Sequence, residues 1–208
     1  MAASVGFGVE LLAGIDASEF NYAPYVQQLK DKGVQYVQFV GANIHAVRMA
    51  QAMAQQGYKP KIFVVTQTQY NNAYVETGGS AVEGTYLPLP HPLFDDSSNA
   101  ELKLYTSWLQ QVRPGTEPTT FGLFAWSAAR LFVEKAIGLG GGLTRETLLE
   151  AIRRERKWDA NGLHSPMDVG GKTTYKCLDV VQLQQGTWRK VSGADYLCGS
   201  LVTTSVAG

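Results

Sequence analysis

Between residues 9 and 70 short apolar runs alternate with longer segments whose apolar residues recur at helical spacing, and this alternation admits few folds. "VELLAGID" (9–16) is a short apolar run ending in Gly and Asp, which suits a buried strand. "SEFNYAPYVQQLKDKG" then places Phe20, Ala23, Val26 and Leu29 on one helical face, with Ser18 as N-cap and Gly33 as the stop. "VQYVQFVG" (34–41) reads as the next strand. "NIHAVRMAQAMAQQG" reads as a helix burying Ala46, Met49, Ala50 and Met53 and ending at Gly57, and "KIFVVTQ" as the third strand. Strand, helix, strand, helix, strand, joined by right-handed crossovers, is a parallel sheet flanked by helices, an α/β fold.

Beyond residue 70 the texture shifts. "NNAYVETG" predicts a helical turn, and "AVEGTYLPLPHPLF" a further strand that breaks into a proline-rich exit, because Pro88, Pro90 and Pro92 do not suit a central strand. From about residue 97 three helices follow one another. "SSNAELKLYTSWLQQV" aligns Leu102, Tyr105, Trp108, Leu109 and Val112. "TTFGLFAWSAARLFVEKAIGLGGG" is long and mostly apolar, and "TRETLLEAIRRER" opens on a capping box at Thr144 and Thr147 in which Thr stands where Glu is preferred. Three successive helices cover themselves poorly and are expected to lean on another sheet. "TTYKCLDVVQLQQGTWRKV" (173–191) reads as two strands joined at Gln185-Gly186.

Charge excludes several function classes. Lys plus Arg and Asp plus Glu are both 18 in 208 residues, and no run of five like charges occurs, so nothing recruits nucleic acid or an anionic membrane by bulk electrostatics. No apolar stretch reaches the roughly 18 residues of a membrane span. "MAASVGFGVE" lacks the basic region and apolar core of a signal peptide, and a start of this kind is compatible with a cut into a longer protein whose export signal lies elsewhere.

Catalytic signatures are missing too. There is no GxSxG, HExxH or P-loop, and "GLGGGLT" follows a helix instead of a strand, which reads as a helix stop and connector. His45, His91 and His164 are scattered with no metal-ligand spacing. Asp95-Asp96 reads as a solvated turn and Asp16 as a cap before a helix. What remains are the loops at the carboxyl ends of the parallel strands, where open α/β sheets bind ligands near helix N-termini. They are "DASEFNY" (16–22), "GANIH" (41–45) and "TQTQY" (66–70). Thr66, Gln67, Thr68, Gln69 and Tyr70 form an uncharged cluster of donors and acceptors, suited to orienting a polar ligand or to satisfying their own turn and the next helix cap.

Cys177 and Cys198 are the only cysteines. They fit one disulfide closing a loop of about 20 residues, worth roughly 3 kcal/mol on the chain-entropy argument, or two unrelated buried thiols. A disulfide would point to an extracytoplasmic compartment.

The order of segments resembles the type I periplasmic solute-binding proteins, specifically the family of the leucine/isoleucine/valine-binding protein that serves branched-chain amino-acid ABC transporters. The resemblance is carried by "DASEFNYAPYVQQLKDKGVQYVQFVGANIHAVRMAQAMAQQGYKPKIFVV", by "AVEGTYL" and "FAWSAARLFVEKAIGLGG", and by paired cysteines like those near the C-terminus of some members. It implies a non-enzymatic, cofactor-free receptor, periplasmic or at the cell surface, that traps a small molecule between two lobes and presents it to a membrane permease. It also implies an arrangement incomplete against the two-lobe fold. Residues 5–92 and 171–208 are expected to form most of a C-terminal lobe, and 93–170 the helices of the N-terminal one. The chain then corresponds to a fragment of a longer receptor or to a shortened protein whose exposed faces the missing lobe or a second copy covers.

Ligand contacts are expected at Ala42, Asn43, Thr66, Gln67 and Tyr70. Gln67 matches the place where amino-acid binders carry an acid for the ligand's ammonium. An amide forfeits most of that charge-assisted bond, about 1.5–3 kcal/mol, so the expected ligand is a small amide, a carboxylate-bearing metabolite or an aromatic acid. Rival readings are a sensory domain of the same fold, a fragment that binds nothing alone, and an enzyme of flavodoxin-like or hydrolase type, for which the strand-end loops supply no nucleophile, base and orienting group.

Overall fold

A computed structural model describes Gly6 and residues 8–200; residues 1–5, 7 and 201–208, where the segments expected from residue 5 and to residue 208 begin and end, lie outside the described residues. Two compact units divide the chain at Pro88/Leu89, Val180/Val181, Arg189/Lys190 and Gly199/Ser200.

The first unit contains helix α1 (Ala23–Asp31), strand β1 (Tyr36–Gln38), α2 (Asn43–Gln55), β2 (Ile62–Val64), a 3-10 turn at Gln67–Gln69, α3 (Asn72–Gly78) and most of β3 (Tyr86–Leu89). It also takes the later part of β4 (Cys177–Gln184) and most of β5 (Thr187–Lys190). Strand order is β1-β2-β3-β4-β5. β1 and β2 pair in parallel with Val37 opposite Phe63, and β2 continues in parallel to β3 with Val64 opposite Tyr86. Val37, Phe63, Val65, Leu87 and Leu183 are buried with Val26, Leu29, Ala46, Val47 and Met49 from α1 and α2, whereas Tyr36 and Ile62, on alternate positions of the same strands, are exposed. That alternation is the period-2 signature of a sheet with one covered face. At the β4–β5 turn Gln185 and Gly186 both take positive φ, 53° and 72°, the mirror-image turn that matches strand twist.

Several local expectations fail here. Residues 9–16 form no strand, and Leu12 is 92% exposed; an apolar run becomes a strand only where a neighbour bonds its backbone. Asp16 instead accepts from the Ser18 N–H and hydroxyl (2.7 and 2.6 Å). That occupies Ser18, so α1 starts at Ala23 with Pro24 in its first turn, where a proline's missing N–H costs nothing. Phe20, expected on the buried helical face, is 74% exposed beneath the Arg48 guanidinium. Lastly, Pro88 does lie in β3, between β2 and β4. The described ladder bonds on either side of it use earlier residues, Val65 N–H to the Tyr86 carbonyl and Leu183 N–H to that of Thr85, so the N–H that proline lacks is not called on. Residues 72–78 form a helix of two turns rather than one, capped by Asn71, which accepts from Tyr74 N–H.

The second unit holds α4 (Ala100–Val112), α5 (Thr120–Leu139) and α6 (Arg145–Arg153), capped by the side chains of Asn99, Thr119 and Thr144. The Thr144/Thr147 capping box forms with Thr in the role of Glu. Leu102, Tyr105, Leu123, Leu131, Trp158 and Leu163 make the core. Glu101 is buried among them, accepting from Trp126 Nε1 (2.8 Å) and Arg130 (3.1 Å). Of the face expected on α4, Leu102 and Tyr105 are buried, but Trp108 and Val112 are exposed, as are Phe121, Phe132 and Ile137 of α5. Among the described residues no strand covers that apolar stripe. Cys177 and Cys198 form a disulfide and stand directly opposite in the antiparallel pair of β4 with β6 (Leu197–Cys198).

Asn99 caps α4 through Leu102 N–H (2.8 Å) and also donates to the Gly162 carbonyl (2.8 Å). Asn99→Ala is expected to cost about 1–2 kcal/mol, read as a lower urea midpoint at unchanged slope. Asn99→Asp, which keeps the cap and loses only the second bond, should recover part of the loss.

Candidate functional site

The carboxyl ends of β1 and β2 lead into Gly41–Asn43 and Thr66–Asn71, and a hydrogen-bond network ties the two loops together. Its hub is Gln69, fully buried. Gln69 Nε2 donates to the Gly41 carbonyl (3.0 Å) and towards Asn43 Oδ1 (3.3 Å), and its Oε1 accepts from Thr66 N–H (3.1 Å). The Thr66 and Thr68 hydroxyls lie 2.6 Å apart, and 2.9 and 3.1 Å from the same Oε1. Each has one proton, so they share the acceptor as a chain. Asn43 Nδ2 donates to Asn71 Oδ1 (2.9 Å), and Asn71 Nδ2 to the Thr68 carbonyl (2.7 Å). Thr66 and Gln69 thus complete a reciprocal capping box.

All five residues expected to contact ligand, Ala42, Asn43, Thr66, Gln67 and Tyr70, lie in these two loops. Ala42 caps α2 without a side-chain bond, and the first turn of α2 carries no acid, leaving N–H groups that favour an acceptor or anion. Thr66 and Asn43 are engaged in the network. Gln67 is half-buried, and among the described residues no side-chain hydrogen bond engages it. Tyr70 is buried in the core, 9% exposed, with its ring edge-on to Trp188 at 6.1 Å. Gln69 and Asn71 were missed as the residues that hold the loops, although the Thr66-x-x-Gln69 spacing is a legible capping-box signal.

Beside these loops residues 11–17, β1 and the start of α2 line a cleft of about 500 Å³ that includes Ala42, Tyr22 and His45. A second concavity, of about 770 Å³, lies by the residues that precede β2 and β3, Tyr58–Lys61 and Glu83–Thr85. Open α/β sheets bind ligands at the opposite, carboxyl ends of their strands, which favours the first. Hydrogen bonds from Ser18 hold the Asp16 carboxyl below its usual range. Among the described residues no cluster of three His, Cys, Asp or Glu side chains is placed to hold a metal, and no helix is long and apolar enough to cross a membrane.

The fold is that of the type I periplasmic solute-binding proteins. The sequence profile of the periplasmic binding protein family matches residues 3–187, and the chain belongs to that family. Leu/Ile/Val-binding protein homolog 1 of Brucella abortus is 28% identical over 140 residues, 65% of this chain and 35% of that protein. A branched-chain amino acid ABC transporter protein from Thermus thermophilus, solved with bound valine, superposes with a TM-score of 0.79 at 14% identity, covering 96% of this chain and 55% of that one. A fatty acid ABC transporter substrate-binding protein from Thermomonospora curvata gives 0.73 at 19% identity, covering 89% and 49%. Those two likenesses concern the fold alone. The chain spans about a third of the length of the curated relatives it matches. At the level of the family these are solute-binding proteins and not enzymes.

Proposed function

We propose that this chain is the solute-binding part of an extracytoplasmic receptor for an ABC importer, taking a small amino-acid-like, amide or carboxylate ligand at the carboxyl ends of β1 and β2. The observation that carries the reading is the division of labour in the strand-end loops. Gln69 and Asn71 lock the two loops together, and among the described residues the half-buried Gln67 amide is left free of side-chain bonds. Ala42, Asn43, Thr66 and Gln67 face the ligand in this reading, and Tyr70 supports them from the core. Residues 5–92 and 171–208 serve as the C-terminal-lobe part and 93–170 as the helical part of the other lobe. The missing lobe or a second copy closes over the ligand, and the closed form docks on a membrane permease. The family and the binding proteins named above support this reading.

A thermal-shift screen of amino acids, amides and small carboxylates, with native mass spectrometry of the same sample, tests it. One compound class is expected to raise Tm, and Gln67→Ala to weaken that compound about tenfold or more, the loss of one hydrogen bond to a charged or strongly polar group. Tight leucine binding that Gln67→Ala removes would contradict the expectation, drawn from an amide at position 67, that the ligand is not a simple zwitterionic amino acid. No response to any compound would contradict binding by this chain.

A further inference from the structure

The cleft of about 500 Å³ falls in the size range of small-molecule sites, which are mostly apolar with a few placed polar groups. Leu11, Ile15, Phe39 and Met49 supply apolar wall, and the polar side chains are few: Asp16, Gln38, His45 and the hydroxyls of Tyr22 and Tyr25. His45 Nδ1 lies 2.9 Å from the Tyr22 hydroxyl. Tyr22 is buried, and burial raises its pKa, so the phenol keeps its proton and is able to donate to Nδ1. A neutral imidazole that accepts at Nδ1 carries its own proton on Nε2. Among the described residues that Nε2–H has no partner.

We propose that His45 anchors the ligand, its Nε2–H donating to the carboxylate of a molecule whose compact aliphatic or aromatic body fills this cleft, with Tyr22 as the positioning residue that fixes the tautomer. The inference rests on the solute-binding reading above and names its ligand class. A donor without a fixed negative charge suits an acceptor head, and a carboxylate makes a stronger bond to it than a neutral carbonyl does. The one acid of the cleft, Asp16, is exposed and already accepts twice from Ser18, so a ligand ammonium has no enclosed counter-ion.

Calorimetric titration of the full chain with isocaproate, isocaproamide and leucine tests this. Isocaproate should bind, and the amide and leucine at least several-fold more weakly. His45→Leu should cost tenfold or more for isocaproate, and His45→Gln, which keeps an N–H donor, only a few-fold. Tyr22→Phe should lower affinity and move the His45 ring-nitrogen chemical shifts away from the Nε2–H tautomer while the circular dichroism spectrum stays unchanged, a signature that a purely structural role does not produce. Isocaproate binding indifferent to His45→Leu overturns the proposal. So does leucine as the tightest ligand with a loss in Asp16→Asn, or no binding of any of the three by folded protein. A different compound that depends on Gln67 and not on His45 overturns this inference and leaves the solute-binding reading standing. Isocaproate binding that depends on His45 and not on Gln67 upholds the inference and removes the contacts centred on Gln67.

Discussion

Gln69→Leu is expected to lower stability by about 3 kcal/mol and Tm by roughly 6–12 °C, and to abolish ligand binding in the folded fraction. The shorter, apolar side chain removes the acceptor of Thr66 N–H and the donor to the Gly41 carbonyl, in a position with no access to water. An unsatisfied buried polar group costs more than an ordinary hydrogen bond contributes, and here two loops lose their tie at once. Gln69→Glu separates the effects. It keeps the acceptor and turns the donor into a buried negative charge facing a carbonyl, so it should destabilise at neutral pH as much as leucine does. A Tm within a degree or two of the parent for Gln69→Leu would show that the network does not hold the loops.

Acidification is expected to weaken the second unit well before ordinary carboxylates titrate. His91 Nε2 lies 2.9 Å from Thr120 Oγ1 and its Nδ1 2.7 Å from the Pro92 carbonyl. His164 repeats the arrangement with Ser127 Oγ (2.7 Å) and the Ser165 carbonyl (2.9 Å), and Trp158 Nε1 donates to the same Ser127 hydroxyl. Each Nδ1 facing a carbonyl carries the proton, so each Nε2 accepts from a hydroxyl of α5. Burial pushes the His91 pKa down to about 4 from 6.5, and that of His164 down as well. The unfolded chain therefore binds the proton first as pH falls. The His91 contribution is complete above about pH 6.5 and is lost as pH falls towards 4, a change of roughly 3 kcal/mol.

The carboxylates held low by their hydrogen bonds, Asp96 and Glu155, act further to the acid side, since the contribution of a depressed carboxylate starts to fall only near its ordinary pKa of about 4. Urea midpoints at pH 7.0, 6.0, 5.0 and 4.5 would be compared for the parent and His91→Gln. The parent should lose stability steadily across the series and the variant less steeply; parallel profiles would remove His91 as the cause.

Much of this was legible in residue order. The parallel α/β alternation, the helix stops at Gly33 and Gly57, the Gln185-Gly186 turn and the Thr144 cap are local events, decided by φ preferences and side-chain hydrogen bonds within a few residues. Faces were less legible. Trp108 and Val112 continue the apolar register of α4 yet stand exposed while Leu109 packs on the core, because spacing reports which residues share a face and not how far the neighbouring element reaches. The 9–16 run has strand composition, but a strand is a relation between two backbones, and composition names no partner.

The candidate site divides along the same line. The strand-end position of "TQTQY" follows from sequence, since a parallel strand must be followed by a loop at its carboxyl end, and so does the lack of charge there. Which of two near-identical glutamines is bound into the protein and which is free was decided only in space. Gln69 meets Gly41 and Asn43 across 28 and 26 positions of sequence, and Gln67, two residues earlier, meets none of them. The Tyr22–His45 pair, 23 residues apart, is likewise invisible to local pattern. A hydrogen bond needs its partners within about 3 Å, and packing of the helices against the sheet is what brings distant residues to that distance.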